Sequence, residues 1–430
     1  MKKICVFTTF FDSSPAYSLN QCVQDQLRML IYGGYKPTVI VVNGFKPVEM
    51  YAHPDVTLAY IPHFPVNNDG RLPENYKDLV AETRDALLSA LKDVDVCITH
   101  DVIYQPAHLI HNLASREVAE KLPNLKWLHW IHSATSPEIL CSVEEVRPLI
   151  KRPFPNALVC YPNYYDIPRV AHNYGYEEDR IKWVPHPVDI VDYLGMHEGS
   201  AKIVRKHKIL DADIISTYPI RLDRGKQVEH IIKIHGAIKE TGRTTKLIVM
   251  DFHSTAGDKL TYREDLKSIA KIWGVEKDVI FVSEEDSRFR YDAPRQMVRD
   301  FMLISNLYIH PSVSETYSLA TQEAAICKNQ LVLNRDFPPM QTIYGEGPLY
   351  KQFSSAINAV TGMDGDTMWN WSDGSRMPYP ENEKEYYKTL ASNILYYIES
   401  NPILKVNKLI RQERTIEHVF ETYLLPLIER

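Results

Sequence analysis

Glycine is scarce in this chain: 17 of 430 residues, about 4% against a usual value of about 7%. A fold resting on several glycine-rich phosphate loops is therefore not indicated. Long hydrophobic runs are also missing. The N-terminus, MKKICVFTTFFDSS, carries two lysines but only a short apolar run that reads as a first strand. Neither a signal peptide nor a transmembrane span is expected, and a cytoplasmic location follows as the expectation. Cysteine is present six times, at Cys5, Cys22, Cys97, Cys141, Cys160 and Cys327, but never as Cys-x-x-Cys. That spacing excludes a zinc knuckle or a thioredoxin-like motif and suits buried, reduced thiols. An excess of one charge is lacking as well. Lys+Arg is 49, Asp+Glu is 55 and the net charge is −6. Neither the half before Asp189 nor the half after it is basic, which argues against an electrostatic nucleic-acid binder.

What is there is ordinary globular composition, 44% hydrophobic and 24% charged. At 430 residues the chain is too long for one compact core, so two domains are expected. Short apolar runs alternate with amphipathic stretches. Ile4–Phe10 reads as a strand. Ser18–Ile31 follows as a helix with Leu19, Val23, Leu27 and Leu30 on one face, stopped by Gly33-Gly34. Thr38–Val42, Val96–His100, Trp127–His132, Ala157–Tyr161 and Ile181–Val184 read as further strands, and Tyr76–Lys92 as a helix. The pattern weakens over 190–212, which reads as a connection. It restarts with strands at Ile214–Tyr218, Lys246–Met250, Val279–Val282, Leu307–Ile309 and Gln330–Leu333, separated by helical stretches near 227–240, 261–273, 294–304 and 318–328. Repeated strand–helix–strand units predict two doubly wound, mostly parallel sheets. The boundaries expected are 1–195 and 210–410. A terminal helix over 415–430 shows Ile416, Val419, Phe420, Tyr423, Leu424, Leu427 and Ile428 at helical spacing. The polar stretch 361–383, with Trp369 and Trp371, reads as a loop excursion.

The segment His310 to Ala325 carries most chemistry. A strand ends, a polar loop follows, and a helix begins near Ser318. Glu315 lies in the loop and Glu323 eight residues on, inside the helix. Free backbone N–H groups at a helix start favour phosphate. Two carboxylates beside an anion would repel it unless each binds hydroxyls, and a nucleotide sugar has hydroxyls at both ends with a diphosphate between. Spacing alone also fits a loop glutamate and a solvated helix glutamate. No Asp-x-Asp stands at the end of a strand to hold a nucleotide-bound metal.

This segment resembles the Glu-x7-Glu motif of retaining glycosyltransferases of the GT-B fold, in particular glycosyltransferase family 4. Ile220-Arg221-Leu222-Asp223-Arg224-Gly225-Lys226 is similar to the family's Gly-Arg-Leu-x-x-x-Lys. Trp183-Val184-Pro185-His186-Pro187-Val188-Asp189 is similar to its Pro-Asn-Gly-Val-Asp segment. Asp278 to Ser283 resembles the strand and loop facing the nucleotide base. The resemblance is clear from about 180 to 335, weaker before, and absent over 350–385. Several family glycines are replaced: in the first loop by Thr8 to Ser14, after the first glutamate by Thr316 and Ser318, at His186, and at Lys328.

The resemblance implies a GT-B fold, two Rossmann-like domains facing a cleft, with the end helix crossing back to the first domain. It implies transfer of a sugar from a nucleotide-diphosphate sugar, such as a UDP-sugar, to an acceptor hydroxyl. Configuration would be retained, with no metal and no cofactor. Arg221 and Lys226 would neutralise the diphosphate, Glu315 would hold the sugar hydroxyls and Glu323 the ribose. Thr316, Tyr317, Ser318, Leu319 and Ser283 would complete the donor site. His132 would hydrogen-bond the transferred group, and His100 and Asp101 would lie on the acceptor side, whereas His129 reads as structural. The acceptor is expected to be a glycan, a lipid-linked sugar or a small molecule. A hydroxymethylated DNA base, gripped by Lys121, Lys126, Arg147, Lys151 and Arg152, is the competing acceptor. The same scaffold would also suit a non-catalytic sugar-nucleotide-binding module or a GT-B epimerase.

Overall fold

The computed structural model describes residues 1–430 except 15, 66–70, 134–140, 142, 253–258, 313–314, 336, 352 and 354–382. Nearly all of the expected excursion at 361–383 lies outside the described residues. The chain forms two compact units, one of residues 1–189 with 413–430, the other of residues 190–412.

The first unit holds a seven-stranded sheet. Its strands are β1 (Ile4–Phe7), β2 (Thr38–Val42), β3 (Thr57–Ile61), β4 (Val96–His100), β5 (Lys126–Trp130), β6 (Ala157–Tyr161) and β7 (Ile181–Trp183). They run parallel in the order β3-β2-β1-β4-β5-β6-β7. Strands covered on both faces need apolar residues at successive positions. Cys5, Phe7, Ile40, Val42 and Cys97 fill one side, while Ile4, Val6, Val39, Val41, Val96 and Ile98 fill the other. The chain winds outward from β1 in one direction and then, from β4, in the other. The switch point lies between β1 and β4.

The helix Ser18–Tyr32 buries Leu19, Val23, Leu27 and Leu30 and ends at Gly33. A Cβ at Gly33 would overlap the ring of Phe420. The terminal segment belongs to this unit: Ile416, Val419, Phe420, Leu424, Leu427 and Ile428 join its core. Thr415 opens it by accepting a bond from His418 N at 3.2 Å. Lys2 and Lys126 donate to the carbonyls of Ile428 and Leu427, each at 2.6 Å, which places cations at a helix C-terminus.

The second unit holds β8 (Ile214–Arg221), β9 (Thr245–Phe252), β10 (Val279–Phe281), β11 (Leu307–His310), β12 (Gln330–Asn334) and β13 (Leu349–Lys351). The order is β10-β9-β8-β11-β12-β13, again parallel, with its switch point between β8 and β11. The stretch 190–212 is not an open connection. It contains helices Ile190–Tyr193 and Glu198–Lys206, and Ala201, Ile203 and Val204 pack into the second core. Near the other end of this unit, buried Arg411 donates to the carbonyls of Leu210 and Ala212 at 2.7 and 2.9 Å.

Candidate functional site

In open parallel sheets, ligands sit beyond the carboxyl ends of the strands at the switch point. The second unit gathers its polar residues there. β8 ends at Arg221, which is exposed and lies 3.8 Å from Asp223. Buried Leu222 anchors the turn, and a short 3-10 turn over Arg224–Lys226 follows it. From the neighbouring strand, β11 ends at His310, and the loop after it brings Glu315 into an ion pair with Lys226. The pair spans the switch point, and both side chains are largely buried.

His310 backs this pair. Its Nε2 lies 3.7 Å from Glu315 Oε1, and its Nδ1 faces Tyr308 Oη at 3.3 Å. Burial first, and then Lys226, push its pKa down to about 3. It is therefore a neutral imidazole at physiological pH and adds no charge of its own. The loop is pinned from several sides. Ser312 Oγ donates to Gly225 O at 3.3 Å, and Asn334 Nδ2 donates to Pro311 O, also at 3.3 Å. Tyr344 Oη donates to Ser318 O at 2.7 Å and Tyr317 O at 3.1 Å.

The helix Leu319–Ile326 starts at this loop, with no acidic side chain in its first turn, so its positive dipole end is unopposed. Tyr317 and Leu319 are exposed at that end, and Thr316 precedes them in the same loop. Ser318 is buried, with its Oγ 2.8 Å from Thr321 Oγ1. Glu323 lies one turn on and pairs with Arg295 at 2.6 Å.

Ser283 sits in a different network. Its backbone N–H donates to Asp251 Oδ1 at 3.0 Å and its hydroxyl to Asp251 Oδ2 at 2.5 Å. Arg263 Nη1 donates to the same hydroxyl at 2.8 Å, and Lys259 stands 3.3 Å from the carboxylate. The structure thus joins Lys226 and Glu315 directly, places Arg221 and the helix start at the same switch point, and ties Ser283 to Asp251. His310, Tyr344 and Asp251 escape sequence reasoning. The one signal for Asp251 and His310 is a polar residue closing an apolar strand.

In the first unit, a row of imidazoles lies at the ends of β4 and β5. β5 stops at Trp130, two residues short of the expected strand, so His132 stands just beyond the strand end. His100 is fully buried, with Nε2 at 2.8 Å from Gln26 Oε1 and Nδ1 at 3.1 Å from His132 Nε2. These contacts set the tautomers. A carbonyl oxygen only accepts, so His100 Nε2 carries the proton and its Nδ1 is bare. His132 Nε2 must then donate, and His132 Nδ1 keeps its lone pair. Burial, then His186, push the His132 pKa down to about 3. Asp101 adopts left-handed backbone at φ 53°, and its carboxylate accepts from His132 N at 2.8 Å. Burial pushes this carboxyl up to about 6. His129 is buried against Thr99 at 3.0 Å and serves the core.

Two of the cations considered for DNA are engaged in contacts of their own. Lys126 opens β5 at the amino end of the sheet and is engaged by Leu427 O. Arg147 is held by Glu144 at 3.1 Å and Cys141 O at 2.9 Å.

Two doubly wound α/β units, each with polar residues at the carboxyl edge of a parallel sheet, define the class of this protein. No family model matches the sequence, and no curated protein matches it. Among solved structures it is similar to a glycosyltransferase from Rickettsia africae, at 13% identity and a TM-score of 0.37, over 100% of this chain and 98% of that one. Anabaena HepE, solved with UDP and glucose, aligns over 100% of both chains at 15% identity and a TM-score of 0.36. WaaG, a glycosyltransferase involved in lipopolysaccharide biosynthesis, aligns over 96% of this chain and 99% of its own at 14% and 0.30. Likenesses at these scores assign the chain to no family. No described helix is long and apolar enough to cross a membrane.

Proposed function

We propose that the protein is a retaining glycosyltransferase that moves a sugar from a nucleoside-diphosphate sugar to an acceptor hydroxyl. The observation that carries this reading is the Lys226–Glu315 pair across the β8/β11 switch point, beside a helix start without acidic residues. An amine and a carboxylate paired there balance each other while no donor is bound. A donor separates them: Lys226 and Arg221 turn to the diphosphate, and Glu315 accepts bonds from sugar hydroxyls. Backbone N–H groups near Leu319 and Ala320 add to the phosphate site. Glu323 takes the ribose hydroxyls once its pairing with Arg295 opens.

In the transfer step the bond from the anomeric carbon to the diphosphate oxygen breaks. The electron pair leaves with the diphosphate, whose charge the two cations stabilise. The acceptor oxygen bonds the same face of that carbon, and its proton passes to the departing phosphate oxygen. No carboxylate nucleophile is required, and no metal is placed at the diphosphate. Neutral His132, with His100 and Asp101, serves the acceptor side by hydrogen bonding. The acceptor is a glycan, a lipid-linked sugar or a small molecule.

A screen of nucleotide sugars without acceptor tests this reading. One sugar nucleotide should release its diphosphate slowly. Glu315→Ala and Arg221→Ala should each lower that release by about a hundredfold or more. Undiminished release in both variants would remove the site assignment.

A further inference from the structure

The first unit brings a thiol and two imidazoles together. The ligand atoms of Cys22, His132 and His186 all lie within 4.8 Å of one another. They come from three separate places: the helix Ser18–Tyr32, the residue past the end of β5, and the segment after β7. The rings of His132 and His186 are stacked, with centroids 5.1 Å apart and an interplanar angle of 2°, so one ring turns for both lone pairs to meet a single ion. Tetrahedral zinc, with bonds of about 2.0 to 2.3 Å, sets its ligand atoms about 3.3 to 3.8 Å apart. Side-chain adjustments of about 1 Å therefore close the three onto one ion.

We propose that Cys22, His132 and His186 form a binding site for a zinc-class divalent cation with one open coordination position. The donor set narrows the metal. One thiolate and two imidazoles suit zinc or copper, whereas calcium and magnesium require oxygen ligands. The outer shell is in place as well. Gln26 orients His100, His100 accepts from His132 Nε2, and His132 Nδ1 is left with the lone pair a metal needs. Among the described residues, His186 has no hydrogen-bond partner. Nor does a fourth histidine, cysteine or carboxylate atom complete the set. Three protein ligands leave the fourth position to water or to a hydroxyl group. Binding exchanges the Cys22 thiol proton for the metal, so one proton is released per ion from that group.

This inference goes beyond the transfer reading, which places no metal at the diphosphate; with the ion bound, His132 Nδ1 is a ligand and the acceptor-side hydrogen bond falls to Asp101. The test uses the full chain, purified without chelators, and inorganic zinc and cobalt as probes. Titration should load about one zinc per chain. Cobalt should give a thiolate-to-metal charge-transfer band. Cys22→Ser should abolish that band, and His186→Gln should weaken metal binding by about tenfold or more. Circular dichroism establishes that each variant is folded. If Cys22→Ser does not fold, alkylation of the wild type replaces it: zinc should protect Cys22 and leave Cys327 reactive. Failure to load metal, an unchanged cobalt band in folded Cys22→Ser, or no selective protection of Cys22 would overturn the site.

Discussion

Ser318 and Lys328 hold left-handed backbone at φ 63° and 62°, at two of the positions where the resembled family carries glycine. Left-handed backbone is the conformation that glycine adopts freely. A side chain in this region costs about 1 to 2 kcal/mol, so the shortage of glycine is met here by strain. Lys328 is exposed and follows the helix Leu319–Ile326 as its left-handed C-terminal residue. Lys328→Gly should raise stability by about 0.5 to 1 kcal/mol, after glycine's greater chain entropy is subtracted. Urea unfolding measures this, and a loss of stability would contradict it. At this scale the two members of the Lys226–Glu315 ion pair stand out in the sequence, because both belong to motifs with fixed spacing. His310 and Asp251 are not, since a single polar residue at a strand end has no periodicity to betray it. Ser283 can be placed by its strand end, yet its hydroxyl is held by Asp251, a partner 32 positions away.

At the scale of elements, the central strands can be read because burial on both faces demands continuous apolar runs. The two that escape, β3 and β13, are edge strands. β3 is partly exposed along most of its length and β13 along all of it, so neither shows the run that marks its neighbours. The terminal helix is legible from its apolar stripe, but its contact at Gly33 is not, because the space there is left by a missing side chain. Gly33 lets the Phe420 ring approach the end of the helix Ser18–Tyr32. Gly33→Ala should destabilise the protein by about 1 to 3 kcal/mol through overpacking. Adding Phe420→Leu should recover part of that loss. A double-mutant cycle reads the coupling, and strict additivity would show that the ring does not depend on Gly33.

For the whole molecule, two units are expected from length and from the repeated strand–helix pattern, and two parallel sheets are found. The stretch 190–212 misleads because its helix Glu198–Lys206 buries Ala201, Ile203 and Val204 but is otherwise polar and short. The second core carries a pH dependence that composition does not reveal. His235 is buried, 2.6 Å from Ser216 Oγ, and burial pushes its pKa down to about 3. Burial, then Lys233, do the same to His230. Unfolded histidine takes its proton near about 6.5, whereas these two resist it until about 3. Their contribution to stability is full above the unfolded value and is lost as pH falls toward the folded one. The urea midpoint should therefore drop between pH 7.5 and pH 5, and a midpoint that holds or rises would contradict this account. Lys226 is proposed to hold a diphosphate at the β8/β11 switch point, and calorimetric titration with a nucleoside diphosphate tests this most directly. The wild type should bind, and Lys226→Met should weaken binding by about tenfold or more, with binding falling as salt rises. Equal affinity in the two proteins would contradict it.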